Sequence, residues 1–164
     1  KLAEKIRMII SHGSKKKYYH ETLGVNSRLD SIQAAILDIK LKYLDEYCEA
    51  RYNAAMKYNE KFKGIFETPY IMPGVKHIFH QYSIRVKNRD KMMEFLKSNG
   101  IPSMIYYPVP LHMQEAYKYD YKPGDYPVSE EIAEDIISLP MHTELTDEEI
   151  DFISSKVIEF NSIQ

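Results

Sequence analysis

The chain has 164 residues, a length typical of one domain, and its net charge of −2 at pH 7 gives no overall electrostatic attraction to nucleic acid. Its single cysteine, Cys48, excludes an internal disulfide and indicates a reducing compartment, which we expect to be the cytoplasm. No apolar run approaches the roughly 20 residues that a membrane-spanning helix needs, so no membrane partner is expected.

The first part of the chain is predicted to be a short helix, a loop and one long helix. Residues 1–11 carry apolar side chains at helical spacing, and residues 14–25 form the loop. No Gly or Pro interrupts the sequence from Val25 to Lys63, which predicts a helix of roughly 50 Å. Ser27, with Asp30 three residues later, predicts a capping box at its start.

The first half of this predicted helix is apolar on almost every side. Ile32, Ile36 and Ile39 recur along one face, and Leu37 and Leu41 add apolar surface elsewhere. A helix that is apolar all round is buried all round. The remaining sequence offers little to cover it, so we expect a large neighbouring surface from another domain or a second subunit.

The rest of the chain predicts a small α+β domain. The predicted strands span residues 66–71, 77–86 and 101–107, and the predicted helices span residues 89–98, 128–138 and 147–160. Residues 111–126 are predicted to be a tyrosine-rich loop or irregular helix. Thr146, with Glu149 three residues later, predicts a capping box for the last helix. The expected sheet is small and mostly antiparallel, with flanking helices.

Two residues before the long helix are candidate ligands for an anion. Asn26 precedes a predicted helix N-terminus, where free N–H groups favour an anion, although Asn is also a common turn residue. Arg28 lies at the positive end of the predicted helix, where a cation is slightly unfavourable. Its partner is therefore either Asp30 or an anionic ligand.

A second group of candidates lies near Pro108 and Pro110. Tyr106 and Tyr107 end a predicted strand, and adjacent strand residues point to opposite faces, so at least one is expected to face a cleft or a partner. His112 follows in the same loop and either binds a ligand or caps the loop.

The remaining histidines do not predict a metal site. His77 and His80 fall on opposite faces of a predicted strand, so they are not expected to share an ion. The other histidines lack ligand spacing.

Several short motifs occur in a fixed order along the chain. They are His12-Gly13, Gly24-x-Asn26-x-Arg28-Leu29-Asp30, Gln33-Ala34-Ala35-Ile36-Leu37, Lys40-Leu41, Arg51, Tyr106–His112, Ser138–Met141 and Leu145-Thr146. Together they resemble the DegT/DnrJ/EryC1/StrS family of pyridoxal-phosphate-dependent nucleotide-sugar aminotransferases, over nearly the whole chain. The resemblance is to the C-terminal part of such an enzyme.

This resemblance implies a domain organisation and a partner. Residues 1–25 would be the end of the large-domain region with its connecting loop, and residues 26–164 the long helix and the small C-terminal domain of a fold-type I pyridoxal-phosphate enzyme. The large domain, with the cofactor-bearing lysine, is expected before Lys1, so we expect no catalytic residue in this chain and an inactive chain in isolation. The family also implies a homodimer.

The resemblance also implies roles for the candidate residues. Asn26 would bind the cofactor phosphate of the partner subunit, and Arg28 would bind a phosphate or carboxylate of the substrate. Tyr106 and Tyr107 would lie over the sugar, with His112 as a further candidate substrate ligand.

The implied reaction moves an amino group, from glutamate, to a keto group of a nucleotide-linked sugar, in polysaccharide or glycan precursor synthesis. Two alternatives stay open. The first is a dehydratase of the same family, in which a histidine replaces the lysine. The second is a non-catalytic dimerisation or interaction module built on the long helix.

Overall fold

Two units make up the computed structural model, which describes residues 1–163. The first unit spans Lys1–Leu44, and the second begins at Asp45. The boundary that we predicted after residue 25 concerns the domains of a whole enzyme, and it stays a prediction. Among the described residues, no helix is both long enough and apolar enough to cross a membrane.

The first unit consists of two helices and a small hairpin. Its elements are helix α1 (Leu2–Ile10), strand β1 (Ser14–Lys16), strand β2 (Tyr19–His20) and helix α2 (Ser31–Leu41). The two strands are antiparallel, where the sequence predicted only a loop. The predicted N-terminal helix is confirmed.

The segment after the hairpin is held against the end of α1 by the backbone. The Val25 and Ser27 amides donate to the carbonyls of Ile9 and Ile10 at 2.8 and 3.0 Å, and the His12 amide donates to the Val25 carbonyl at 3.0 Å. Since backbone groups form all three bonds, this segment keeps its path without help from its side chains.

Two glycines allow this close approach. A Cβ atom on Gly13 would lie 1.7 Å from the Thr22 carbonyl oxygen, and the φ angle of Gly13 is 75°. A Cβ atom on Gly24 would lie 2.1 Å from the Gly13 nitrogen. Only glycine fits at both positions without a backbone shift.

The predicted long helix is two helices. Helix α2 ends at Leu41, and helix α3 spans Leu44–Phe62. Between them the Lys42 and Tyr43 amides donate to carbonyls three residues earlier, at 3.3 and 3.1 Å. This spacing is that of a tighter 3₁₀ turn, which interrupts the α-helical pattern without Gly or Pro.

The predicted capping box at Ser27 is wrong. The N-cap of α2 is Asp30, whose carboxylate accepts a hydrogen bond from the Ile32 amide at 2.9 Å. Residues 25–29 therefore precede the helix, and Arg28 does not open it.

The sheet of the second unit has two antiparallel strands. Strand β3 (Tyr82–Arg85) pairs with strand β4 (Ile136–Leu139). Single antiparallel bridges add Glu67 beside Arg85 at one edge and Met104 beside Ser138 at the other. The predicted strands 66–71 and 101–107 are therefore reduced to one bridge each, and the predicted strand 77–86 to four residues.

Three helices complete the second unit. They are α4 (Arg89–Ser98), α5 (Pro127–Asp135) and α6 (Asp147–Ser162). The predicted helix over 128–138 was too long, because its last residues belong to β4. The capping box of α6 is confirmed, since Thr146 and Glu149 exchange side-chain-to-backbone hydrogen bonds at 3.2 and 2.9 Å.

The core of the second unit lies between α3, the sheet, α4 and α6. Its fully buried large side chains include Tyr58, Phe62, Phe79, Tyr82, Ile84, Met92, Leu96, Ile137, Ile150 and Val157. Burial raises the pKa of both Tyr58 and Tyr82. Their hydroxyls donate to the Pro140 carbonyl and to the Asn59 side chain, so these two buried hydroxyls have partners. The α+β fold class is confirmed.

Candidate functional site

Tyr106 and Tyr107 line one cleft, which we call the tyrosine cleft. It has a volume of about 490 Å³, and Gln114, Ser129 and Ile132 also line it. The two rings are 5.8 Å apart at 71°. Tyr106 is half-buried, whereas Tyr107 is 71% exposed. We expected alternation to separate the two side chains, but the segment is not a strand, so both reach the same cavity.

A second, smaller cleft shares Tyr106 with the first. It has a volume of about 290 Å³ and is lined by Arg51, Tyr106 and the run Ser138–Met141, among others. The Arg51 Nη1 donates to the carbonyls of Met141 and His80, at 3.0 and 3.3 Å. Motifs that lie far apart in the sequence therefore meet at one place in the second unit. In the sequence, Arg51 was recognised only as part of a motif, and nothing there predicted that it would line a cleft.

His112 is buried, with 8% of its surface exposed. Its Nε2 donates to the Glu130 carboxylate at 2.8 Å, and its ring lies 4.9 Å from that of Tyr126. His112 lines a neighbouring cavity of about 370 Å³. Leu111 and Ser129 line both this cavity and the tyrosine cleft, so the two are adjacent. This geometry supports the loop-capping alternative for His112.

Glu130 is the residue that sequence reasoning missed. Its carboxylate also accepts the Gly124 amide at 2.8 Å and the Tyr126 amide at 3.4 Å. The pKa of the Glu130 carboxyl lies below its ordinary value. The hydrogen bond from His112 is the largest cause, and the hydrogen bond from the Gly124 amide is the next. A glutamate one turn into a helix is too common in sequences to have indicated this role.

Asn26 and Arg28 belong to the first unit. Asn26 forms a backbone bridge with Ser11, and its side chain is exposed and makes no hydrogen bond within residues 1–163. The Arg28 side chain is also exposed and pairs with no carboxylate in the described part of the chain. Asp30, one of its two possible partners, caps α2 instead. The structure therefore leaves both side chains available to a ligand.

No group of three or more potential metal ligands occurs within residues 1–163. His77, one of the two residues considered for a metal pair, accepts a hydrogen bond from the Phe79 amide at 3.0 Å through its Nδ1. Both histidines precede β3 rather than lying on it, so the argument from opposite faces of a strand does not apply.

The sequence as a whole matches one family model. The model of the DegT/DnrJ/EryC1/StrS aminotransferase family covers residues 1–158. This chain belongs to that family.

Similar proteins come from several bacteria. The pleiotropic regulatory protein of Geobacillus stearothermophilus is 46% identical over 97% of this chain and 44% of its own length. The dTDP-3-amino-3,6-dideoxy-alpha-D-galactopyranose transaminase of Aneurinibacillus thermoaerophilus is 38% identical over 95% of this chain and 43% of its own length. The chain thus spans less than half the length of these relatives.

A solved structure of the family has the same fold. The DegT DnrJ EryC1 StrS aminotransferase from Brucella abortus superimposes with a TM-score of 0.90 at 42% identity. The match covers 98% of this chain and 43% of that one. Since it extends over both units, the fold described above is that of one part of a family aminotransferase.

Proposed function

We propose that the whole protein is a pyridoxal-phosphate-dependent nucleotide-sugar aminotransferase. It would move an amino group, from glutamate, to a keto group of a nucleotide-linked sugar. The family membership supports this proposal, as does the transaminase of Aneurinibacillus thermoaerophilus, whose name specifies a nucleotide-linked amino sugar. The observation that carries it is the meeting of the family motifs Tyr106-Tyr107, Arg51 and Ser138–Met141 at two clefts that share Tyr106.

The tyrosine cleft suits a sugar ring. Two phenol hydroxyls, which donate and accept hydrogen bonds, match the hydroxyls of a sugar, and an aromatic face packs against its apolar C–H surface. Tyr106 and Tyr107 are proposed to supply both kinds of contact. The Nε2 of His112 is bonded to Glu130. His112 would therefore contact the substrate through its other ring nitrogen, or affect substrate binding indirectly through the loop.

The residues of this chain fit only part of a cofactor site. The side chain of Asn26 can donate its amide to a phosphate. The N-cap of α2 lies four residues later, at Asp30, and its carboxylate accepts from the Ile32 amide, so this amide is not free for an anion. Bound pyridoxal phosphate would act as the electron sink for amino-group transfer. The lysine that holds it is proposed to lie in the large domain, outside this chain.

The test is an assay of the full-length protein with nucleotide-linked keto sugars and L-glutamate. Mass spectrometry should detect the amino sugar, together with one equivalent of 2-oxoglutarate. Tyr106→Leu should reduce turnover, while Tyr19→Leu, at an exposed tyrosine of the β1–β2 hairpin, serves as the control. A product that has lost a hydroxyl without gaining nitrogen would favour the dehydratase alternative. No product from any keto sugar would reject the proposal.

A further inference from the structure

The loop between Pro110 and α5, together with the first turn of α5, forms one wall of the tyrosine cleft. Leu111 and Gln114, near the start of the loop, and Ser129, in the first turn of α5, line the cavity together with Tyr106 and Tyr107. The loop contains only two short 3₁₀ turns, Leu111–Met113 and Glu115–Tyr117. Its shape therefore depends on contacts other than regular secondary structure.

One carboxylate supplies those contacts at three points. Glu130, in the first turn of α5, accepts from the His112 side chain at 2.8 Å, from the Gly124 amide at 2.8 Å and from the Tyr126 amide at 3.4 Å. His112 lies near the start of the loop and Glu130 just after its end, so their bond closes the loop. Because His112 is buried, this bond is partly shielded from water and is electrostatically stronger than a fully exposed one.

The other acidic residues of α5 do not form hydrogen bonds with the loop. Glu131 and Asp135 bind Arg85 of strand β3. Glu134 is exposed and makes no hydrogen bond or ion pair within residues 1–163. Of the four acidic residues of this helix, Glu130 is therefore the one that faces the loop.

We propose that Glu130 is a positioning residue for the tyrosine cleft and that it holds the loop 111–126 in the shape that completes the cleft wall. The inference rests on the proposed function in so far as the cleft binds the sugar of the substrate. Glu130 itself does not line the cleft; it acts through Leu111, Gln114 and Ser129. Its removal should therefore affect substrate affinity more than the chemical step.

Glutamine tests the charge of Glu130, and alanine tests its hydrogen bonds. The His112 side chain and the Gly124 and Tyr126 amides all bond the Oε1 of Glu130, and only the Gly124 amide also reaches Oε2, at 3.0 Å. Glu130→Gln can keep one oxygen for the three donors, but it removes the negative charge and the second bond from Gly124, because its NH₂ cannot accept from an N–H donor. Glu130→Ala removes all of these bonds. Glu134→Gln makes the same change of charge on the same helix and serves as the matched control.

Two measurements on the full-length protein test the inference. Hydrogen exchange followed by mass spectrometry should show amides of the 113–126 segment exchanging about tenfold faster in Glu130→Gln, where the bonds lose their charged acceptor, and faster still in Glu130→Ala, where the bonds are absent. The KM for the nucleotide sugar should rise about tenfold, with kcat within about twofold. Glu134→Gln should change neither quantity, and equal circular dichroism spectra would establish that all variants are folded.

The outcomes separate this inference from the proposed function. Unchanged exchange in both Glu130 variants would overturn the inference, whatever the substrate. Faster exchange with an unchanged KM would also overturn it, because the loop would then not shape the cleft. If the wild-type protein used no nucleotide sugar, the proposed function would fail, and with it the link to substrate, while the exchange experiment would still decide whether Glu130 holds the loop.

Discussion

The Arg28 side chain is available to bind a ligand. It lies in the segment that precedes α2, and its guanidinium pairs with no carboxylate within residues 1–163. Asp30 uses its carboxylate to cap the helix. We predict that Arg28→Ala in the full-length protein raises the KM for the nucleotide sugar about tenfold or more, as expected for loss of a charge-assisted hydrogen bond. Steady-state kinetics would measure it.

Ser27→Ala is the matched control for this prediction. The Ser27 side chain makes no hydrogen bond in the described structure. The backbone holds this residue in place, since the Ser27 amide donates to the Ile10 carbonyl. This variant should keep the wild-type KM. If Arg28→Ala only lowered the melting temperature and left the kinetics of the folded protein unchanged, Arg28 would be structural.

Asn26 carries a separate prediction. The side chain is exposed and makes no hydrogen bond within residues 1–163, so its removal costs no internal contact. In the full-length protein, Asn26→Ala should weaken retention of pyridoxal phosphate by about 1.5–3 kcal/mol, the range for a hydrogen bond to a charged group. Equilibrium dialysis followed by cofactor absorbance would measure it. Retention equal to that of the wild type would remove Asn26 from the cofactor site.

Single residues were predictable where a pattern is strictly local. The pair Thr146 and Glu149 was recognised as a capping box because both partners lie within one turn. Glu130 could not be recognised in this way. Its partners His112, Gly124 and Tyr126 come from an irregular loop, whose path depends on the carboxylate itself.

The two helix caps give a prediction at the scale of the element. Thr146→Ala should destabilise the folded protein by about 1 kcal/mol, because it leaves the Glu149 amide without its side-chain acceptor. Asp30→Ala removes the acceptor of the Ile32 amide in the same way. Ser27→Ala should cost nothing comparable. Urea unfolding with unchanged m-values would measure the differences, and a loss in Ser27→Ala equal to that in Asp30→Ala would contradict the assignment of the cap.

The cap of α6 also responds to pH. Hydrogen bonds from Thr146 hold the pKa of Glu149 below its ordinary value. A carboxyl whose pKa is lowered on folding contributes stability that is present above its unfolded pKa and is lost as the pH falls through its folded pKa. The difference in stability between the wild type and Glu149→Gln should therefore shrink on acidification through the carboxyl range. A difference that stayed constant would show that the charge of Glu149 is not involved.

Elements were predicted well where one face is buried and the ends carry clear signals. Helices α4 and α6 are of this kind. Strand β4 was assigned to the preceding helix because three of its four residues are buried, so it lacks the alternation of a half-buried strand. The break after Leu41 carries no Gly or Pro, and it was missed because the local sequence favours helix throughout.

The exposed apolar side chains of helix α2 bear on the assembly of the whole molecule. None of its residues is buried, and its large apolar side chains are more than half exposed, from 53% for Ile36 and Leu37 to 73% for Ile32. Helical spacing arranges them in two stripes, one with Ile32, Ile36 and Ile39 and the other with Leu37 and Leu41. The expectation that another surface covers this helix stays a prediction. Two stripes on different sides require two covering surfaces.

We predict that the full-length protein is a homodimer in which the partner subunit covers one stripe and the large domain covers the other. A buried, unpaired carboxylate is strongly destabilising, so Ile36→Glu and Leu37→Glu should act by different routes. One should shift the dimer towards monomer in sedimentation velocity. The other should lower the melting temperature by about 5 °C or more without dissociation. Ser31→Glu adds the same charge at an exposed polar position of α2 that lies about 100° around the helix from both stripes, and it should do neither. A fully active wild-type monomer, or two glutamate variants that keep both the mass and the melting temperature of the wild type, would show that α2 is not an interface.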